Sequence, residues 1–563
     1  MTVLPVLPIL IPLLSAAACL VVGRSVAWQR RVAVVGVAGL LASAAGLLIA
    51  VDRHEILVVQ VGSWPAPFGI TLAADRFGAI MVMLAAVMGA VVCLFSLYET
   101  SRQAVHRGFF PLLLVLLGGV SGAFLTGDLF NLYVWFEVLL ISSFVLLSLG
   151  GGRANLEGAV KYVALNLLGS MLFLTGTGVL YGVTKTLNMA DLHGVLREVS
   201  AEQPTLVLAI SAVFAVAFCL KAAVFPLFFW LPASYHVPPA GVCAVFAALL
   251  TKVGVYALVR TFTLVFPGAE PVLAVVLILA AVTMVSGVLG AVTQFEIKRI
   301  LAWHSISQVG YIVVGVGLLS VPDPEVRALG LAATIVFLVH HGTIKPALFL
   351  VAGLVQRREG TTQLKKIGGL GAATPWLAVL FLLAALSLAG LPPSSGFWAK
   401  LAVLRALALG GQWWVLAAAL AAGLLTLMSM MKIWNEAFWK NPPPPPPEVE
   451  VGTDVPEGTG LGADRVHGEP RRIPAGMAWP VFALVMGVTA VGLWPQPLLG
   501  YADRAAAQLL NPAAYVEAVG LAPRDEKDAA QPAPEVSAAA TVAEGNAGPE
   551  DPEARLSVQE GGG

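Results

Sequence analysis

Five ionisable side chains interrupt runs that are otherwise apolar: Glu137 in GDLFNLYVWFEVLLISS, Lys221 in AFCLKAAVFPLFFWLP, Lys252 in AALLTKVGVYAL, Lys345 in LVHHGTIKPALF and Lys400 in LPPSSGFWAKLAVL. A charge at the centre of a bilayer costs roughly 2.5–3.5 kcal/mol on insertion scales, so such residues are retained for what they carry rather than for packing. Burial disfavours a charged form and an opposite charge restores it, so each group changes protonation when its neighbour moves. The chemistry they point to is proton translocation. The structural alternatives are lysine stems that snorkel to an interface, which suits Lys345 and Lys400 better than Lys221 and Lys252, and a static ion pair for Glu137.

Histidines extend the set. His341 and Lys345 are spaced i, i+4 and share a helix face, with His340 beside them, a pattern that fits a proton relay. His304 in ILAWHSISQVGY, His236 and Lys298 are candidates for proton access. The plain alternative is an imidazole that is only hydrogen-bonded. Two histidines without a nearby carboxylate or thiolate do not make a metal site, and there is no Walker loop, GxGxxG strand-turn-helix or catalytic triad. No catalytic residue, metal or cofactor is therefore expected, and the function expected is transport rather than catalysis. Prolines break the helices near two of the lysines: Pro226 lies five residues after Lys221, and Pro392 and Pro393 precede Lys400, the latter by seven. Broken helices in corresponding positions of two halves mark transporter binding sites.

The elements that position these groups follow from composition. Of 563 residues, 58% are hydrophobic and 12% charged, where a soluble domain carries about a quarter charged residues, and the mean hydropathy is +0.85. A single water-soluble globule is excluded. A bilayer core needs about 20 apolar residues in helix, and fourteen runs qualify, from 3–23 to 475–495. Lipid leaves no partner for backbone groups, so the spans are helical, and no alternation supports a β-barrel. The fold class expected is an all-α polytopic membrane protein. The four cysteines lie in apolar runs without CxxC spacing, and the apolar start lacks a basic n-region, which fits a retained first span better than a cleaved signal.

Charge is segregated along the chain. Thirty-three bases equal thirty-three acids overall, yet residues 441–474 and 496–563 hold 17 acids against 7 bases. The rest of the chain keeps 16 acids against 26 bases. Placing the N-terminus outside assigns fifteen loop Lys/Arg to the cytoplasm, Arg24 and Lys298 among them, and seven to the other face, including Arg76 and Arg260, with both termini outside. Six consecutive prolines at 442–447 predict an extended spacer between the last two spans, and the Ala/Pro/Glu/Gly-rich tail beyond 522 a disordered one. Residues 502–521 read as short amphipathic helices lying on the membrane or on a partner, or as a linker.

Several of these segments together resemble a known family. TGDLFNLYVWFEVLLISSFVLL, LKAAVFPLFFWLPASYHVPPAGVCAVFAALLTKVGVYALVR, IKRILAWHSISQVGYI, HHGTIKPALFLVAG and LAGLPPSSGFWAKL are similar to the antiporter-like subunits of respiratory complex I and of Mrp multisubunit cation/proton antiporters, over roughly residues 70–435. GDLFNLYVWFEVLLISS and the ending AAQLLNPAAYVEAV resemble the MrpD branch most. The resemblance implies fourteen helices with two inverted five-helix repeats and interruptions in helices seven and twelve. With the composition of the remaining segments it divides the chain into N-terminal spans (1–107), a first repeat (108–260), a second (270–435), a Pro-rich cytoplasmic linker (441–474), a last span (475–495) and a C-terminal amphipathic segment with a disordered acidic tail (496–563); the proline insert and the tail depart from the family pattern. It carries over the functional Glu of helix five to Glu137 and the lysines of helices seven, eight and twelve to Lys221, Lys252 and Lys400; His340, His341 and Lys345 take the helix-eleven polar positions. The implied function is that of one component of a sodium/proton antiporter in a bacterial cell membrane. The implied partners are a large MrpA-type component and small membrane subunits, the ions moved are H+ and Na+, and no nucleic acid is involved. The axis expected runs Lys221, Lys252, His340/His341/Lys345, Lys400, with Glu137 pairing with Lys221. Two other classes fit the same residues: a pump module of a redox complex, and a non-transporting scaffold component. Which ion this chain carries is left open by the residues.

Overall fold

Without water in the hydrocarbon layer, each apolar run satisfies its backbone groups within itself, and helix is the result. A computed structural model describes residues 3–23, 25–442 and 471–521. Arg24, most of the proline run and the acidic tail lie outside the described residues. The chain starts with α1 (Leu7–Val21) and α2 (Val26–His54), followed by a hairpin of β1 (Leu57–Gln60) and β2 (Thr71–Ala74). Then come α3 (Arg76–Glu99), α4 (Phe109–Leu125), α5 (Leu129–Ser148), α6 (Arg153–Thr184), α7 (Pro204–Ala222) and α8 (Ala240–Leu264). The second half holds α9 (Glu270–Val292), α10 (Ile297–Gly317), α11 (Pro324–Glu359), α12 (Pro375–Ala389), α13 (Ser395–Leu409) and α14 (Trp413–Ile433). The described chain closes with α15 (Ala475–Leu493), α16 (Gln496–Leu509) and α17 (Pro512–Val519).

Among the described residues, twelve helices are long and apolar enough to cross a membrane, and two shorter apolar ones, α4 of 17 residues and α12 of 15, stand beside them. The bundle has a clear centre. The apolar windows of α8, α10 and α11 are 100%, 94% and 89% buried inside the protein, against 33% for that of the N-terminal span ending with α1. A helix surrounded by protein can carry lysine, histidine and glutamine without turning them to lipid, and Lys252, His304, Gln308, His340, His341 and Lys345 all sit on these three. Glycine permits the close approach they need. A Cβ on Gly315 of α10 would collide with the Gly330 backbone of α11.

Both interruptions anticipated from proline are present. α7 stops at Ala222, Ala223 takes a left-handed conformation (φ 63°), and helix resumes only at Trp230–Ser234, past Pro226. α12 ends at Gly390 (φ 88°), and α13 begins past Pro392 and Pro393 with Ser394 as its N-cap.

Two features depart from the sequence reading. The β1–β2 hairpin, paired Leu57↔Ala74 to Gln60↔Thr71, was not expected. The C-terminal helices, expected on the membrane or on a partner, dock on the chain itself. Tyr501 Oη donates to the Arg76 carbonyl (2.9 Å), Gln508 Oε1 accepts from the Arg76 amide (2.9 Å), and Gln60 Nε2 donates to the Val519 carbonyl (3.3 Å). Those contacts place α16 and α17 at the hairpin end of the bundle, where the first described turn, Leu4–Val6, also meets the hairpin. The first described turn and the last described helices thus meet the hairpin at the same end.

Candidate functional site

The helix break sets Lys221 one residue from the end of α7, and it is 6% exposed. Its Nζ donates to Ser170 Oγ on α6 (2.7 Å) and to the Asn166 carbonyl (3.5 Å), and lies 4.8 Å from the centre of the Phe136 ring on α5. Phe136 adjoins Glu137, whose Oε1 is buried without a hydrogen-bond partner. The carboxylate acts on Lys221 electrostatically, but the two form no ion pair. The pairing expected between them is therefore open in this structure, and the Ser170 hydroxyl of α6 is the side chain bonded to the lysine.

On the far side of Lys221, α8 approaches closely. A Cβ on Gly254 would lie 2.9 Å from the Lys221 carbonyl carbon, so glycine at this position lets α7 and α8 meet two residues past Lys252. Lys252 is fully buried and its Nζ is bonded to the Ala247 carbonyl. It repels Lys345, and both act on His341, which in turn feels His340 and His304. Lys345 is also fully buried, and donates to the Leu301 carbonyl (2.8 Å) on α10. It does not snorkel. His340 shares a hydrogen bond with Ser395 Oγ of α13 (2.9 Å), His304 one with Ser429 Oγ of α14, and both imidazoles lie within electrostatic reach of Lys400. Lys400 itself donates inward to the Ala389 carbonyl (2.7 Å), 5.2 Å from the centre of the Tyr311 ring.

Six of the anticipated residues, Lys252, His304, His340, His341, Lys345 and Lys400, therefore form one connected cluster, with Glu137 and Lys221 at its edge. Polar atoms without a protein partner concentrate there: Glu137 Oε1, Thr251 Oγ1, His304 Nδ1, both amide atoms of Gln308, His340 Nε2 and both ring nitrogens of His341. Buried polar groups are almost always hydrogen-bonded, and these atoms have no such partner within the described residues. His304, a candidate for proton access, lies with the central cluster.

Lys298 and His236 lie apart, at the end opposite the hairpin. Lys298 is buried and donates to the Pro238 carbonyl (3.1 Å); His236 Nδ1 bonds the Pro232 carbonyl (2.8 Å) in the turn ahead of α8. Burial, then the positive charge of Arg299, holds His236 below the ordinary imidazole value, against the pull of Glu296. Glu99 joins this end, its two oxygens accepting from the Ala240 (2.7 Å) and Gly241 (2.9 Å) amides at the start of α8.

Sequence reasoning left Glu137 as the one deep carboxylate and placed Arg260 in a loop. Both readings are corrected by Asp75 and Arg260, which are 2% and 3% exposed and form a bidentate ion pair (both contacts 2.7 Å). The available signal was that Arg260 is followed by TFTLVF and so still lies within α8, spaced i+8 from Lys252.

With this geometry in hand, the comparisons with known proteins are consistent. The family described as NADH:quinone oxidoreductase/Mrp antiporter, TM, matches residues 126–426. The D subunit of the Na(+)/H(+) antiporter of Alkalihalophilus pseudofirmus is 44% identical over 521 residues, which is 92% of this chain and 99% of that one. Among solved structures, a chain of the Mrp complex from Dietzia sp. DQ12-45-1b is 34% identical with a TM-score of 0.83, covering 92% of this chain and 99% of that one. A chain of the membrane-bound sulfane sulfur reductase, an archaeal respiratory membrane complex, is 25% identical with a TM-score of 0.81 over 92% of this chain and 99% of its own. The chain belongs to the NADH:quinone oxidoreductase/Mrp antiporter family, among the D subunits of its Na+/H+ antiporters.

Proposed function

We propose that this chain is one component of a multisubunit sodium/proton antiporter of a bacterial cell membrane and supplies its proton path. The observation that carries the reading is the connected, lipid-shielded cluster of lysines and histidines with unpartnered polar atoms on α8, α10 and α11. A proton enters near His236 and Lys298, passes along Lys221, Lys252, His341 with Lys345, and His340 with Lys400, and Glu137 sets whether Lys221 holds its proton. When the carboxylate closes on Lys221 it favours the ammonium; when Ser170 takes its place, as here, that hold is lost and the ammonium gives up its proton to the axis more readily. Energy comes from coupling to the opposing ion gradient.

The division into two inverted repeats around the breaks after α7 and α12, and an orientation with both termini outside, are parts of the same proposal. Glu137→Gln in the assembled complex should abolish sodium-dependent proton exchange in everted vesicles; full activity would remove Glu137 from the path. The reading as a pump module of a redox complex draws on the similarity to the sulfur reductase chain. Co-purification separates the two: small antiporter subunits favour the exchanger, iron–sulfur proteins the pump.

A further inference from the structure

Three side chains on one face of α8 are spaced four residues apart, Lys252, Tyr256 and Arg260, and cover about 12 Å of helix from the centre of the bundle toward the hairpin end. Tyr256 and Arg260 have partners that continue the line. Arg260 donates to Tyr256 Oη (3.0 Å) and holds Asp75 bidentately, and Tyr256 Oη donates to the Phe124 carbonyl (2.6 Å). Asp75 also caps α3 by accepting from the Gly78 amide (2.8 Å). Aromatic rings close the line from every side: Phe77 stacks on Tyr256 at 4.7 Å, Phe124 meets it edge-on at 4.9 Å, and the Arg260 guanidinium lies 5.4 Å from the Tyr515 ring of α17. Tyr515 is 5% exposed and comes from the docked C-terminal segment, which Tyr501, Gln508 and Arg504 fasten to Arg76 and Asp52.

We propose that Tyr256, Arg260 and Asp75 form the exit of the proton path at the hairpin end, and that the C-terminal helices seal it through Tyr515. The proposal rests on the central lysine axis proposed above. In the closed state the Lys252 ammonium turns away, bonded to the Ala247 carbonyl. When it swings toward Tyr256, its proton passes to the phenol oxygen as the hydroxyl turns from the Phe124 carbonyl toward Asp75 and gives its own proton to that carboxylate. Lys252 is left neutral, Asp75 becomes the neutral acid, Arg260 stays cationic, and total charge is unchanged. A neutral Asp75 loosens its hold on Arg260, and the proton leaves past Tyr515.

The experiment uses the assembled complex in proteoliposomes, with passive proton flux measured without sodium and exchange measured with it. Tyr515→Ala should open a passive leak that Tyr515→Phe does not, and adding Tyr256→Phe to Tyr515→Ala should close it again. Tyr256→Phe alone, which keeps the stack on Phe77, should lose most of the exchange, as should the amide pair Asp75→Asn/Arg260→Gln. Equal leak in Tyr515→Ala and Tyr515→Phe, or wild-type exchange in Tyr256→Phe, overturns the exit. If Tyr515→Ala does not assemble, Tyr256→Phe decides, since it alters one oxygen. Lys252→Ala separates the two levels: exchange retained there sinks the axis itself, whereas exchange lost there but retained in Tyr256→Phe sinks the exit alone.

Discussion

Lys221 and Lys400 are the same residue type beside two helix breaks, yet their surroundings differ. Lys221 has a hydroxyl partner in Ser170, a ring at Phe136 and a carboxylate, Glu137, within electrostatic reach. Lys400 has a carbonyl, a ring and, among the described residues, no carboxylate beside it; it borders a crevice of about 290 Å³ between α13 and α14 that Tyr311, Gly423 and Leu420 help to line. The difference teaches that the two ends of the axis are not interchangeable. In the proposed path the Glu137 carboxylate sets the proton on Lys221 from within the chain, while the titratable neighbours of Lys400 are the imidazoles of His340 and His304 and the phenol of Tyr311. The proposed path therefore puts control at one end and relay at the other.

The largest effects should test whether both ends lie on one path. Lys221→Ala and Lys400→Ala should each abolish sodium-driven exchange in the assembled complex, and only the Lys221 end should respond to Glu137→Gln with a loss of comparable size. Exchange surviving either lysine substitution, with assembly normal, would break the path at that end. Next in size is Gly254→Val, whose added carbons strike the backbone of Lys221 and Ala222. It should lower thermal stability by about 1–3 kcal/mol, the usual result of overpacking, and slow exchange with it; an equally stable and active variant would contradict the close α7–α8 contact.

Ser170→Ala sharpens the contrast further. Removing one hydrogen bond to a charged group is worth about 1.5–3 kcal/mol, so exchange should change by about tenfold or more, with Lys221 freed to close on Glu137. Ser395→Ala, which removes the His340 partner and leaves Lys221 untouched, should not reproduce that response to Glu137→Gln. The smallest effect belongs to His236. Because burial and Arg299 hold its pKa below the ordinary imidazole value of about 6.5, it is neutral at and above about pH 7. His236→Gln should therefore match wild type there and diverge only as the pH falls, and a divergence confined to alkaline pH would contradict that lowered pKa.

The central cluster was legible in sequence because a lysine amid twenty apolar residues has no inexpensive structural role, and because His341 and Lys345 share a helix face by spacing alone. The breaks were legible because proline removes a backbone donor wherever it stands. Asp75, Glu99 and Arg260 were not, since a charge near the end of an apolar run reads as a loop residue unless its partner is known, and Asp75 meets Arg260 across 185 positions. Docking of α16 and α17 was hidden for the same reason: Tyr501 finds Arg76 across 425 positions, and amphipathicity gives a helix an apolar face without saying what covers it. The Glu137–Lys221 relation was legible as a pair of charges but not as an open pair, because only the fold brings Ser170 to the lysine.

Lys252 joins the two ends, fully buried and next to the point where α7 meets α8. The most direct test of a proton path through this chain is the sodium-driven proton flux of the reconstituted complex carrying Lys252→Ala. If the path runs through Lys252, that flux disappears while the complex stays assembled; flux at the wild-type rate would contradict it.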